Sequence, residues 1–214
     1  MMKEPTKKVN LMVNSNEIPV HCIDFPEGET NQFFIGGEDS IIYQAKIHTK
    51  KQSEENIGEK FTSHNGTIFS LHNHPTITER KSEVSGLLLS TSADWGIGVW
   101  HPKTKKDPVL LIDGEVETYD AQWSPVHPSV FAACNGHGQI DLWDISKETD
   151  ECKYRLEADK RAINRIRWSH DGKRLLTGNS NGTVKLYNVD KEFYQYREED
   201  LTKLERMIKP STFK

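Results

Sequence analysis

Three residues of the type found in hydrolases lie within one short region of the chain: His64, Ser90 and Asp94. A serine hydroxyl attacks a carbonyl carbon when a histidine takes its proton and an acid orients that histidine. In α/β hydrolases the serine stands in a Gly-x-Ser-x-Gly turn, whereas residues 86–94 here read GLLLSTSAD. Catalysis is therefore the less favoured interpretation, and we predict that the chain is not an enzyme.

Two further patterns are compatible with ligand chemistry. His72 and His74 alternate in the segment LHNHP, but no third ligand stands at a convincing spacing for a metal. The glycine pair Gly36-Gly37 lacks the following Lys-Ser/Thr and the helix of a phosphate-binding loop. We therefore predict neither a metal site nor a nucleotide or other cofactor.

The composition narrows the class of protein. The chain has 214 residues, of which 35% are hydrophobic and 28% charged, enough for one sizeable core. The formal net charge of -4 argues against general nucleic-acid binding, which needs many Lys and Arg contacts to phosphates. No apolar run of about 18 residues is present, and the start MMKEPTKKVN lacks the apolar part of a secretion signal. We predict a cytoplasmic protein without a membrane span.

One short phrase recurs along the chain. SADWGIGVW (92–100) returns as NGHGQIDLW (135–143) and SNGTVKLYN (180–188), each with a tight turn followed by alternating apolar residues. That pattern is typical of a β-hairpin. Two or three further apolar segments accompany each copy, so the unit has about four strands at a period of about 44 residues, which indicates a β-propeller blade.

We therefore predict an all-β fold, a WD40-type β-propeller with about four blades in a partial ring, followed by a short C-terminal helix. A weaker first copy has Asp39 in its turn, and two polar insertions, 48–60 and 76–84, read as loops. The helix is predicted from Leu201, Leu204 and Ile208, which share one face. The predicted boundaries are an N-terminal stub at 1–16, blades at 17–47, 61–103, 108–146 and 154–190, and a helical tail at 191–214.

The second blade contains all four residues of the hydrogen-bonded tetrad known from WD-type propellers. His64 precedes the first strand, Ser90 lies on the second, Asp94 in the tight turn and Trp100 on the third. The acid would accept from the imidazole, and the hydroxyl would bridge to the indole N–H, so that buried polar groups are satisfied. We predict a structural role for this tetrad.

Other side chains are candidates for contact with a partner protein. Trp95 stands inside a turn, where alternation offers it no core to enter, and exposed Trp residues are frequent in interfaces. Lys160, Arg161 and Arg165 form a basic cluster that would suit acidic groups on a partner. Arg167, by contrast, is expected to pair internally because it lies on an inner strand.

Several of these segments resemble the WD-repeat part of cytoplasmic dynein intermediate chains. The similarity is most evident in YDAQWSPVHPSVFAACNGHGQIDLWDISKETD (119–150) and AINRIRWSHDGKRLLTGNSNGTVKLYNV (162–189). STSADWGIGVW is similar to a blade of that family with Trp directly after the turn Asp, and FIGGEDSIIYQAKIH to its degenerate blade without a closing Trp. The resemblance spans roughly residues 17–208.

This resemblance implies a non-catalytic subunit of a microtubule motor, located in the cytoplasm and on the cytoskeleton. Its propeller would bind the tail of the dynein heavy chain, while light chains and dynactin would bind a separate N-terminal region that is missing here. An axonemal intermediate chain and an unrelated WD40 scaffold or adaptor remain as alternatives. Because such propellers have about seven blades, the chain is expected to be a piece of a longer protein.

Overall fold

The computed structural model describes residues 12–13, 16–48, 56–75 and 83–208. Most of the predicted stub, most of the two polar insertions and the last residues of the predicted tail lie outside the described residues. Among the described residues, no helix is long and apolar enough to cross a membrane.

The described chain forms four antiparallel sheets in sequence order, preceded by a two-residue hairpin of β1 (Met12–Val13) and β2 (Asn16–Glu17). Sheet I contains β3 (Val20–Asp24), β4 (Gln32–Gly37), β5 (Ile42–Lys46) and β6 (Ile57–Phe61). Sheet II contains β7 (Ile68–Asn73), β8 (Leu88–Ser92), β9 (Gly96–Trp100) and β10 (Leu110–Asp113). Sheet III contains β11 (Thr118–Trp123), β12 (Val130–Asn135), β13 (Gln139–Asp144) and β14 (Tyr154–Glu157). Sheet IV contains β15 (Ile163–Trp168), β16 (Arg174–Asn179) and β17 (Val184–Asn188).

Hydrophobic cores lie between consecutive sheets, because each strand alternates its side chains between two neighbours. Phe34 and Phe61 of sheet I pack with Trp100 of sheet II. Trp123 and Trp143 of sheet III pack with the opposite face of sheet II. A third core joins the other face of sheet III to sheet IV. This face-to-face stacking of small antiparallel sheets confirms the predicted all-β, partial-propeller fold.

Sheets and sequence units are offset by one strand. β10 belongs to the sequence unit 108–146, yet it pairs with β9 of the preceding sheet, Leu110 opposite Val99. β14 likewise belongs to the unit 154–190 and pairs with β13. Each of these two sheets is therefore completed by a strand of the following sequence unit.

The predicted C-terminal helix is confirmed as α1 (Glu198–Ile208). Leu204 and Ile208 are buried and Leu201 packs beside them, all in the core between sheets II and III. The apolar stripe that predicts the helix is thus the face that holds it against the sheets.

In each sheet, the turn between the second and third strands contains one residue with a left-handed backbone conformation, that is, with positive φ. These residues are Ser40, Trp95, Gly138 and Gly182, with φ of 69°, 71°, 80° and 83°. Glycine adopts this conformation without steric cost, but a side chain with a Cβ does not. Trp95 therefore occupies a position where sheets III and IV use glycine.

Candidate functional site

The structure brings His64, Ser90, Asp94 and Trp100 into one hydrogen-bonded chain in sheet II. Trp100 Nε1 lies 2.8 Å from Ser90 Oγ, and His64 Nε2 lies 2.8 Å from the same oxygen. His64 Nδ1 lies 3.0 Å from Asp94 Oδ2. Strands β8 and β9 position Ser90 and Trp100, the turn between them positions Asp94, and the loop before β7 positions His64.

The protonation states follow from the surroundings of each group. Burial lowers the pKa of His64 against the opposing charge of Asp94, so its ring is neutral. Burial alone would raise the pKa of Asp94, but the N–H groups of Asn65 and Gly96 lower it on balance, so it is a carboxylate. His64 therefore donates a hydrogen bond from Nδ1 to Asp94 and accepts one from the Ser90 hydroxyl at Nε2. Ser90 Oγ in turn accepts a hydrogen bond from the Trp100 indole N–H.

This geometry supports a structural rather than a catalytic role. Ser90 and Trp100 are fully buried, so a substrate has no access to the hydroxyl. Gly98 completes the packing, because a Cβ there would lie 2.5 Å from Trp100 Nε1 and 2.7 Å from Ser90 Oγ. The tetrad thus ties the turn and the loop before β7 to the centre of sheet II.

The two histidines of LHNHP also make contacts inside the fold. His72 Nδ1 accepts a hydrogen bond from the backbone N–H of Trp123 in the next sheet. His74 is buried beside the Trp123 ring, and burial lowers its pKa to about 4. Within the described residues, no group of three or more His, Cys, Asp or Glu side chains is arranged to hold a metal ion.

Trp95 lies at the tip of the β8–β9 turn, with 48% of its surface exposed. Its carbonyl accepts a hydrogen bond from the N–H of Gly114, which begins the loop into sheet III. A left-handed backbone at a bulky residue costs about 1–3 kcal/mol and is seen most often at functional sites. The structure therefore presents an exposed aromatic ring on a turn that is fixed by a backbone hydrogen bond.

The basic residues divide into two places. Lys160 and Arg161 are exposed in the loop before β15. Arg165 lies within β15, where its guanidinium approaches the Tyr119 carbonyl at 3.5 Å. Arg167 pairs internally with Asp120, Nη1 to Oδ2 3.1 Å. The expected cluster is therefore divided: Lys160 and Arg161 lie together in the loop, and Arg165 lies apart from them on strand β15.

The loop carrying Lys160 and Arg161 shares one end of the sheets with Trp95. Antiparallel order puts the second-to-third-strand turns at the same end as the loops that enter each first strand. Backbone hydrogen bonds between these segments show this contact in all four sheets: Glu38 N to Pro19 O, Ala93 N to Thr67 O, Gly136 N to Glu117 O and Ser180 N to Ala162 O. Trp95, Lys160 and Arg161 thus stand on a common end surface.

Sequence reasoning did not reveal what replaces the tetrad in the other sheets. In sheet III, Asp141 occupies the place of Gly98 and forms a bidentate ion pair with Arg155, at 2.7 and 3.2 Å. In sheet IV, Lys185 occupies that place and its Nζ lies 2.6 Å from Asp159 Oδ2. The signal is in the chain, because these residues stand two positions before the closing aromatics Trp143 and Tyr187.

The stacked four-stranded sheets and the tetrad define a WD40-repeat protein. A family model described as "Dynein axonemal intermediate chain 3 WD40 domain" matches residues 6–189. The chain belongs to this family of dynein intermediate-chain WD40 domains, which confirms the family suggested by the sequence.

Two characterised proteins show the same relationship. The chain is 29% identical over 197 residues to the cytoplasmic dynein 1 intermediate chain of Drosophila melanogaster, covering 91% of this chain and 29% of that protein. It is 26% identical over 187 residues to the dynein axonemal intermediate chain 4 of Mus musculus, covering 87% of this chain and 22% of that protein. The chain thus spans less than a third of the length of either relative.

Proposed function

We propose that the chain is the WD-repeat part of a dynein intermediate chain of the cytoplasmic class. In this role it is a non-catalytic subunit that binds the tail of the dynein heavy chain and supports cargo transport along microtubules. The family match over residues 6–189 supports the dynein intermediate-chain part of the proposal, and the observation that carries the cytoplasmic class is the 29% identity to a cytoplasmic dynein 1 intermediate chain over 91% of this chain. It agrees with a site in which the only hydrolase-like residues of sheet II are buried in structural hydrogen bonds.

Binding in this proposal occurs by presentation of loops rather than by chemistry. Rigid stacked sheets hold their turns at one end, so a helical or extended partner meets several of them at once. Trp95 supplies an exposed aromatic anchor on that end, and Lys160 and Arg161 supply positive charge. The expected partner surface is therefore an acidic segment with an apolar pocket for the indole.

Co-purification with a heavy-chain tail fragment tests the contact surface. Trp95→Ala is expected to weaken binding about tenfold or more, as for an aromatic hot spot, and Arg161→Glu to weaken it and slow association. Lys203→Glu on the exposed side of α1 is the matched charge control and should leave binding intact. Unchanged binding by both surface variants would exclude this surface, and no binding by the parent chain would exclude the proposed function.

The class of dynein is tested by purification of the tagged protein from its own cells. Mass spectrometry that recovers a cytoplasmic heavy chain, with light chains and dynactin, supports the cytoplasmic class. Recovery of an axonemal heavy chain from cilia supports the alternative, which is favoured by the axonemal description of the matching family model. Recovery of a ligase or coat complex instead of dynein subunits would contradict both.

A further inference from the structure

The face of sheet IV that points away from sheet III is apolar and exposed. Strand register places Leu176 and Leu186 opposite each other on this face, since both alternate with residues that pack toward sheet III. Val184 lies two positions before Leu186 and shares the same face. The exposed fractions of Leu176, Val184 and Leu186 are 42%, 64% and 60%. An apolar face of this kind lacks a neighbour that would bury it.

The corresponding residues of the two preceding sheets are buried. In sheet III they pack on sheet IV and are Ala132, Ile140 and Leu142. In sheet II they pack on sheet III and are Leu89, Ile97 and Val99. None of these six side chains is more than 7% exposed. Sheet IV therefore presents the surface that the next sheet covers in sheets II and III.

The other end of the stack, the face of sheet I that points away from sheet II, is also exposed near its inner strand. Ile23 lies opposite Ile35 on this face, and the exposed fractions of Ile23 and Phe25 are 56% and 50%. By register, the corresponding residues of sheet III are Ala121 and Trp123. Each of these is 1% exposed, because they pack on sheet II. The first sheet thus lacks a predecessor in the way that the last sheet lacks a successor.

The strands at the two ends are also unmatched. Sheets II and III each gain a fourth strand from the following sequence unit, whereas sheet IV has three strands and β17 pairs only with β16 in the described chain. At the other end, β1 begins eight residues before β3, as β10 begins eight residues before β11 and β14 nine residues before β15. β1 therefore has the sequence position of an outer strand for a sheet in front of sheet I. Among the described residues it pairs only with β2.

The two end sheets carry opposite net charge. In sheet I, the described residues between Val20 and Phe61 include two lysines and six acidic residues: Asp24, Glu27, Glu29, Glu38, Asp39 and Glu59. In sheet IV, residues 163–188 include one acidic residue, Asp171, and five basic residues: Arg165, Arg167, Lys173, Arg174 and Lys185. Opposite charges attract and orient two surfaces as they meet. Sheet IV of one chain is thus complementary to sheet I of another, whereas two identical ends repel each other.

We propose that a second copy of this chain covers both end faces, with sheet IV of each copy packed on sheet I of the other. The two contacts are identical and related by a twofold axis, so the association closes at two chains. Propellers contain about four to eight blades, and two chains of four sheets make a ring of eight. β1 of each copy pairs with β17 of the other and completes its sheet IV. Heavy-chain binding is not required for this association, because the contact surface proposed around Trp95 lies at the strand ends and not on the sheet faces.

Sedimentation velocity of the full 214-residue chain, from low to high micromolar concentration, tests the oligomeric state. The expected result is an equilibrium between one and two chains without larger species. Dimerisation should weaken as salt rises, because the two end sheets carry opposite charge. A larger species would indicate an open head-to-tail chain of copies and would overturn the closed ring.

Single substitutions place a charge in each end face. Leu186→Glu in sheet IV and Ile23→Glu in sheet I should each weaken dimerisation about tenfold or more, because a carboxylate is costly to bury in an apolar contact. Leu111→Glu is the matched control, since Leu111 is an aliphatic residue of β10 with 41% exposure, away from both end faces. This control should dimerise like the parent chain. Circular dichroism spectra of all three variants should match that of the parent, since each residue is already exposed.

A mixture of Leu186→Glu and Ile23→Glu chains distinguishes head-to-tail contact from other modes. A mixed pair keeps one contact between two unsubstituted faces, so the mixture should associate more tightly than either variant alone. Loss of dimerisation in only one of the two variants, or a mixture that associates no better than they do, would overturn the proposal. A parent chain that is monomeric at every concentration would overturn it as well and would assign the end faces to further sheets of a longer chain.

Discussion

The interfaces on the two sides of sheet II have the same architecture and different interiors. Toward sheet I, the interior holds the buried chain of Trp100, Ser90 and His64, which ends at Asp94. Toward sheet III, the corresponding indole N–H of Trp143 has no hydrogen-bond partner among the described residues, and the polar groups beside it form the Asp141–Arg155 ion pair. Sheets II and III nonetheless have the same strand order, and the Trp that ends the third strand pairs with the same position of the second strand in each.

This difference indicates which interactions define the blade. Apolar packing between sheets and the strand ladders recur at each interface, whereas the polar network varies from tetrad to ion pair. Hydrophobic residues of suitable size are enough to specify such a core, and detailed complementarity adds the remaining stability. The tetrad is thus a local reinforcement of sheet II, and sheet III has the Asp141–Arg155 ion pair in the corresponding region instead.

The largest expected effect on this comparison comes from removal of the turn acid. Asp94→Ala removes the carboxylate that accepts three hydrogen bonds. The donors are His64 Nδ1 and the N–H groups of Asn65 and Gly96. Loss of these charge-assisted bonds should lower the free energy of unfolding by about 2–3 kcal/mol. His137→Ala, at the exposed corresponding position, should change it by no more than about 0.5 kcal/mol. Urea unfolding measures both, and similar losses would show that the tetrad adds nothing special.

Acid should weaken the fold through its buried histidines, one of which belongs to the tetrad. The folded pKa of His64 lies below its usual value because of burial, and those of His74, His72 and His127 are lowered by the same cause. The unfolded chain therefore takes up these protons first, so stability is complete above about pH 6.5 and falls as the pH drops below it.

The acid effect is measured by urea unfolding at about pH 7.5 and pH 5.5. His74, with a folded pKa of about 4, contributes roughly 1 kcal/mol of this loss, and the other three add in the same direction. His64→Gln should make the pH dependence shallower, because one of the rings with a lowered pKa is then absent. Stability that rises on acidification would contradict the assignment of these rings as neutral.

A matched pair of substitutions compares the two indoles directly. Trp100→Phe removes the N–H that donates to Ser90 Oγ, while Trp143→Phe removes an N–H that has no partner in the part of the chain that the structure describes. Both lose the same ring volume, so the difference between them reports the hydrogen bond. Trp100→Phe should cost about 1 kcal/mol more than Trp143→Phe. Equal thermal shifts would mean that the bond between Trp100 and Ser90 has no net value.

The smallest expected effect comes from placing the tetrad hydroxyl in sheet III. Ala133→Ser puts a hydroxyl opposite Asp141, in the position that Ser90 holds opposite Gly98. A Cβ at Gly98 would lie 2.7 Å from Ser90 Oγ, so the Cβ of Asp141 crowds the added hydroxyl. The serine must then adopt a less favourable rotamer, and the free energy of unfolding should fall by about 0.5 kcal/mol. Urea unfolding measures this loss, and a stabilised variant would show that the hydroxyl does reach the Trp143 indole.

The fold was accessible from the sequence because its signals are local. The spacing of Asp94, His137 and Asn181 marks the turns, and the alternation after each turn marks the strands. The helix was equally accessible, since Leu201, Leu204 and Ile208 share one face. These features depend on neighbours within a few residues, so pattern reasoning reaches them.

The ion pairs that replace the tetrad could not be predicted in this way. Asp141 and Arg155 are 14 residues apart and meet only because β14 pairs with β13. Gly114 is an ordinary turn residue until the register shows that it stands in the place of His64. The left-handed backbone of Trp95 was also unforeseen, because local preference favours glycine or asparagine there and the surrounding strands override it.

The offset between sheets and sequence units bears on how the molecule loses its structure. Because β10 and β14 are supplied by the units that follow, neither of those two units can unfold without removing the outer strand from the sheet before it. Neighbouring units are therefore coupled through backbone ladders as well as through side chains. We expect denaturant to unfold sheets II and III in one cooperative transition, and a cut placed between residues 104 and 107 to weaken the sheet before it as much as the sheet after it.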